Sequence, residues 1–114
     1  MAAGYVPARG ELVWLAFTPQ AGHEQAAHRP ALVVSPGPYN RKVGLALVCP
    51  VTGQEKGYPF EVRLPPGLKV TGVILSDQLK SVDWKARRAR HISRVPDEVL
   101  AEVLAKAMTL LTQG

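Results

Sequence analysis

Until about residue 95 the apolar residues of this chain come in short unbroken blocks; after it they recur at helical spacing. The first block, "ELVWLAF" (Glu11 to Phe17), is rich in β-branched and aromatic residues and is bounded by Gly10 and Pro19, which predicts a strand. "PALVVSP" (Pro30 to Pro36) and "GLALVCPVT" (Gly44 to Thr52) are continuous apolar runs of strand length between turn residues. "YPFEVRLP" and "TGVILSDQLKSVD" give further strands, separated by the turn Pro65-Pro66-Gly67, and "RARHISRV" adds a last short one. From Pro96 onward Val99, Leu100, Val103, Leu104, Ala107, Met108 and Leu111 form one helical face, with Asp97 and Glu98 in the first turn and Gly114 at the end. Five or six strands followed by one helix predict a strongly curved antiparallel sheet or small barrel, sealed on one side by the helix.

Composition narrows this only a little. A chain of 114 residues with 46% hydrophobic residues makes one globular domain, 1–114, able to bury a core without staples. The lone Cys49, inside "LALVCP", has no partner for an internal disulfide and behaves as a small hydrophobe, which fits a reducing, cytoplasmic setting. No apolar stretch approaches membrane-spanning length, and the amino terminus lacks the apolar core of a signal peptide. Net charge changes the picture more. At +5, with a pI of about 9.7, an acidic partner is favoured, nucleic acid before any other, although a small domain also carries surplus charge for solubility.

Candidate chemistry is sparse. His23 and His28 stand without a second group of His, Cys, Asp or Glu at ligand spacing, so no metal site is expected. There is no glycine-rich phosphate loop and no nucleophile elbow, so a cofactor-free protein is expected. Glu24 and Arg29 fall in one loop, "GHEQAAHRP", and on spacing alone read first as a surface ion pair. Pro30 holds Arg29 toward extended backbone, so the following strand aims its side chain. Thr52 ends a strand before a polar loop, and Asp77, Gln78 and Lys80 interrupt an apolar one in mid-strand. "KARRARH" (Lys85 to His91) is the densest basic stretch, and Trp14, Trp84 and Phe17 read as core or interface side chains before stacking platforms.

The segments "GHEQAAHRPALVVSP", "YN", "CPVT", "KGYPFEV", "GVILSDQLKS" and "WKAR" resemble, in order and spacing, the MazF/PemK family of toxins from bacterial toxin–antitoxin pairs. The resemblance covers essentially the whole chain and is strongest to the MazF branch. It implies an SH3-like barrel, mainly β with a C-terminal helix, that forms a homodimer. It implies a metal-independent endoribonuclease that cuts single-stranded RNA at short motifs, leaving a 2′,3′-cyclic phosphate and a 5′-hydroxyl. It also implies a cognate antitoxin that lays an acidic tail across the dimer groove, in keeping with the +5 charge.

Residue by residue, Glu24, Arg29 and Thr52 fall on the family's active-site positions. Phe17, His23, His28, Lys56, Asp77 and Gln78 fall on positions expected to contact RNA, by stacking, by phosphate contact or by reading unpaired base edges. Leu75 stands where the PemK branch has an active-site arginine, so a mechanism resting on that arginine does not transfer. His23 matches the PemK branch and His28 the MazF branch, while Gly53 replaces a hydroxyl residue of many relatives. A relative on the same barrel type, CcdB, poisons DNA gyrase without catalysis; the Glu24, Arg29 and Thr52 set argues for the nuclease instead.

Overall fold

The structure, a computed structural model, describes residues 4–16 and 28–113. Along the chain run β1 (Glu11–Ala16), β2 (His28–Val33), α1 (Gly37–Val43), β3 (Ala46–Thr52), β4 (Glu61–Arg63), β5 (Val73–Leu75), β6 (Lys80–Val82), β7 (Arg90–Arg94) and α2 (Asp97–Thr112). Six of the seven strands form one antiparallel path, β4-β5-β3-β2-β1-β7, and β6 pairs with β3 off this path. The expected class, mainly β with a C-terminal helix, is the one observed.

The unbroken apolar runs have a direct cause: both faces of the central strands are buried. Alternate residues divide between two clusters. Leu12 of β1, Leu32 of β2 and Cys49 and Val51 of β3 join Val62, Ile74, Ile92 and the α2 residues Val99 and Val103. Val62 and Ile92 come from opposite ends of the strand path, so the sheet curls into a barrel around this cluster and α2 closes it. The other parity, Val13, Leu15, Ala31, Val33, Ala46 and Val48, packs with Val82 and Trp84 on the second face. A bulge between Leu12 and Val13 in the β1–β7 pairing sharpens the twist there.

Three expectations change. "TGVILSDQLKSVD" is not one strand but two, β5 and β6, joined by a turn that the Gln78 N–H closes on the Leu75 carbonyl at 3.1 Å. The split follows β3, whose residues 46–48 pair with β6 and residues 51–52 with β5. Pro50, with no N–H to give, lies between the two portions. Asp77 and Gln78 therefore occupy a turn, not mid-strand. Likewise His28 and Arg29 belong to β2 and not to the preceding loop, because the ladder with β1 continues to the pair Ala16↔His28.

The third change is α1, which the sequence reading left out. It is capped by extended Pro36, carries a proline in its first turn and ends on Gly44 at φ 82°. Its one buried side chain, Asn40, donates to the Pro7 carbonyl at 2.8 Å and the Ser35 carbonyl at 3.1 Å. The Asn40 carbonyl accepts the indole N–H of buried Trp84 at 3.0 Å. Trp84 is thus a core residue. Among the described residues no helix is long and apolar enough to cross a membrane.

Candidate active site

Strand alternation decides which polar residues meet. Side chains directly opposite in an antiparallel pair share a face, and every second residue along a strand returns to it. Arg29 lies two residues before Ala31 and opposite Leu15; Thr52 lies four after Val48; Lys80 lies opposite Val48. All three therefore continue the second face, beyond the part that Trp84 covers. There the surface opens into a cleft of about 650 Å³, with Leu15, Ala31, Val48 and Val82 as its apolar floor.

Arg29, Thr52, Gln78, Lys80 and Arg87 supply the polar lining, and no carboxylate lines the cleft among the described residues. The described part of the lining is cationic. Arg29 is exposed at the start of β2, where Pro30 fixes the backbone of its neighbour. Thr52 is half-buried at the end of β3, and its Oγ1 accepts the Gln54 N–H at 3.2 Å. That bond uses a lone pair of the hydroxyl and leaves its proton to be donated elsewhere. Arg87 donates to the Ala16 carbonyl at 3.1 Å, and its own carbonyl accepts the Ala16 N–H at 2.8 Å, so it is bound to the end of β1.

The approach of β5 to β3 beside Thr52 depends on Gly72. It has φ 125°, and a Cβ there would fall 2.2 Å from the Thr52 carbonyl oxygen. Only glycine fits. Beneath the site lies Cys49, fully buried; burial, reinforced by the negative charge of Asp77, pushes its thiol up to about 11.

Of the residues singled out from sequence, Arg29, Thr52 and Gln78 are brought together at the cleft. His28, at the same strand end, and the exposed Lys56 and Asp77 do not line it. Phe17, His23 and Glu24 lie outside the described residues. Lys80 and Arg87 were not singled out as site residues. For Lys80 the signal was present, since it stands two residues from buried Val82 and so shares its face. Arg87 sits in the irregular stretch between β6 and β7, where no period points to it and the only signal is the basic run Lys85 to His91. No group of three or more His, Cys, Asp or Glu residues suited to a metal ion occurs among the described residues.

Comparison with known proteins gives a consistent neighbourhood. The family model described as "PemK-like, MazF-like toxin of type II toxin-antitoxin system" matches residues 8–111. The chain is 49% identical to the endoribonuclease toxin MazF of Escherichia coli K12 over 97% of its own length and 99% of that protein. It is 40% identical to the E. coli endoribonuclease PemK, over 91% of its length and 81% of that protein. Among solved structures, a MazE–MazF crystal structure from Deinococcus radiodurans superposes with a TM-score of 0.87 at 49% identity, covering 97% of this chain and all of that one.

Proposed function

The chain belongs to the PemK-like, MazF-like toxin family of type II toxin–antitoxin systems, and from that premise we infer that it is a toxin endoribonuclease whose cleft holds single-stranded RNA. The observation that carries the reading is the meeting of Arg29 and Thr52 in a cleft whose charged lining side chains, among the described residues, are Arg29, Lys80 and Arg87. Such a lining suits a polyanion and repels nothing in it.

The reaction is transesterification within the RNA. The ribose 2′-oxygen attacks the adjacent phosphorus, its proton passes to a base, and the bond from phosphorus to the 5′-oxygen breaks as that oxygen takes up a proton. The products are a 2′,3′-cyclic phosphate and a 5′-hydroxyl. Glu24 serves as the base for the 2′-hydroxyl. Arg29 clamps the phosphate oxygens through its planar fork as charge builds on them. Thr52, with its proton left to donate, gives a further hydrogen bond to the same oxygens. A guanidinium with a pKa above about 12 is a poor base, so proton transfer is not assigned to Arg29. Phe17, His23, His28, Lys56, Asp77 and Gln78 contact the strand around the scissile bond, and Lys80 and Arg87 add positive charge at the cleft. The toxin works in the cytoplasm as a homodimer, and a cognate antitoxin silences it with an acidic tail.

Incubating the purified protein with a defined RNA in EDTA and mapping the ends tests this. Discrete cuts bearing 5′-hydroxyl ends are expected, because the nucleophile belongs to the substrate. Intact RNA alongside inhibited DNA gyrase would reverse the assignment. Within it, wild-type cleavage by Glu24→Gln beside an inactive Arg29→Ala would remove Glu24 from its role.

A further inference from the structure

After Thr52 the chain enters a stretch, residues 53–59, in which every residue is exposed. Apolar packing cannot order such a loop, and each residue fixed without it costs about 1–2 kcal/mol of backbone entropy. Polar ties hold it instead. Glu55 pairs with Arg63 of β4 at 2.5 Å, an exposed contact of little value alone. The second tie is stronger in design. The Glu61 carboxylate, at the start of β4, accepts the Lys56 N–H at 3.1 Å and the Gly57 N–H at 2.9 Å. Two consecutive N–H groups, with Gly57 at φ 82°, make an anion-binding nest that the chain fills with its own side chain. Glu61 is itself anchored. Its N–H reaches the Tyr58 carbonyl at 3.1 Å, and its carbonyl accepts Lys106 of α2 at 3.1 Å.

We propose that Glu61 is a positioning residue for RNA binding, its carboxylate closing the 56–57 nest so that Lys56 is held where RNA leaving the cleft passes. This rests on the reading of Lys56 as an RNA contact. A lysine side chain is long and mobile, and a phosphate contact keeps only what remains after ordering it; a backbone fixed in advance lowers that ordering cost. Glu61 does not line the cleft, so it acts on binding and leaves the chemical step alone.

The test is steady-state cleavage of a fluorogenic single-stranded oligoribonucleotide by Glu61→Ala, Glu61→Gln, Lys56→Ala and the Glu61→Ala/Lys56→Ala double variant. Lys56→Ala and Glu61→Ala should each raise KM about tenfold, the size of a charge-assisted contact, with kcat within about twofold. Glu61→Gln, which keeps one acceptor, should recover most of the affinity. The double variant should be no worse than Lys56→Ala, since without the ammonium nothing is left to aim. Gly57→Ala disturbs the nest from its other side, meets no side chain there, and should raise KM in the same way. An unchanged KM in Glu61→Ala, an additive double variant, or an equal loss of kcat and thermal stability overturns the proposal while leaving the RNA site intact. An unchanged KM in Lys56→Ala removes Lys56 from the RNA contacts and the proposal with it.

Discussion

Arg29 and Cys49, on the adjacent strands β2 and β3, have opposite fates. Arg29 reaches the open part of the second face, where its substitution bears on the chemistry. Arg29→Lys keeps the charge but loses the planar fork. Cleavage should fall by about 10²- to 10³-fold, the usual loss for one preorganised donor, with the melting temperature almost unmoved. A single-turnover assay beside a thermal melt checks both halves. Cys49 faces the barrel core, where burial raises its thiol to about 11. Unfolding releases that thiol to an ordinary value, so between roughly pH 9 and 11 the unfolded chain binds fewer protons than the folded one. Stability present below that window is then lost as pH rises through it. Tyr5 acts in the same sense, its hydroxyl raised above the usual value by burial and by donating to Glu11. Cys49→Ala should make the decline in denaturant midpoint across this window shallower. In the folded wild type at pH 8 the thiol should resist a disulfide reagent that modifies it fully in guanidinium; ready modification of the folded state would contradict its placement.

Elements carry the site by how closely they approach, and the β3–β5 contact is the tightest case. Gly72→Ala adds a methyl group 2.2 Å from the Thr52 carbonyl oxygen and a side chain at φ 125°. Strain alone is worth at least about 2 kcal/mol, and relief requires moving the end of β3. Lower thermal stability and weaker cleavage are expected together, while Gly53→Ala, with open space around it, should change stability little. The same elements show what the sequence could tell. β1, β2 and β3 were legible because burial on both faces leaves a continuous apolar run. α2 was legible because only one face is buried. β5 and β6 merged into one predicted strand because their separation is set by β3, a partner remote in sequence. α1 was invisible for another reason: with Asn40 its one buried side chain, it leaves no apolar period to read.

For the whole molecule, the site was legible only in part, since it is assembled by register. Nothing in their spacing joins Arg29 to Thr52; the family resemblance named them, and strand parity explains why they meet. Lys80 and Arg87 enter the site only once β6 is laid beside β3 and the 83–89 segment returns to β1. Placement should therefore matter more than the net charge of +5. Each phosphate neutralised on a single strand contributes about −0.7 to the slope of log affinity against log salt. Cations that line the cleft, Lys80 among them, should each steepen the slope for kcat/KM on a short RNA by that amount where they neutralise a phosphate. Lys80→Gln should flatten it by about 0.7. Lys42→Gln removes the same unit charge from exposed α1, outside the cleft, and should leave the slope unchanged. If both variants flatten it equally, long-range steering by the whole basic molecule governs RNA capture. If only Lys80→Gln does, the register of β6 against β3 has built a phosphate contact that no composition could reveal.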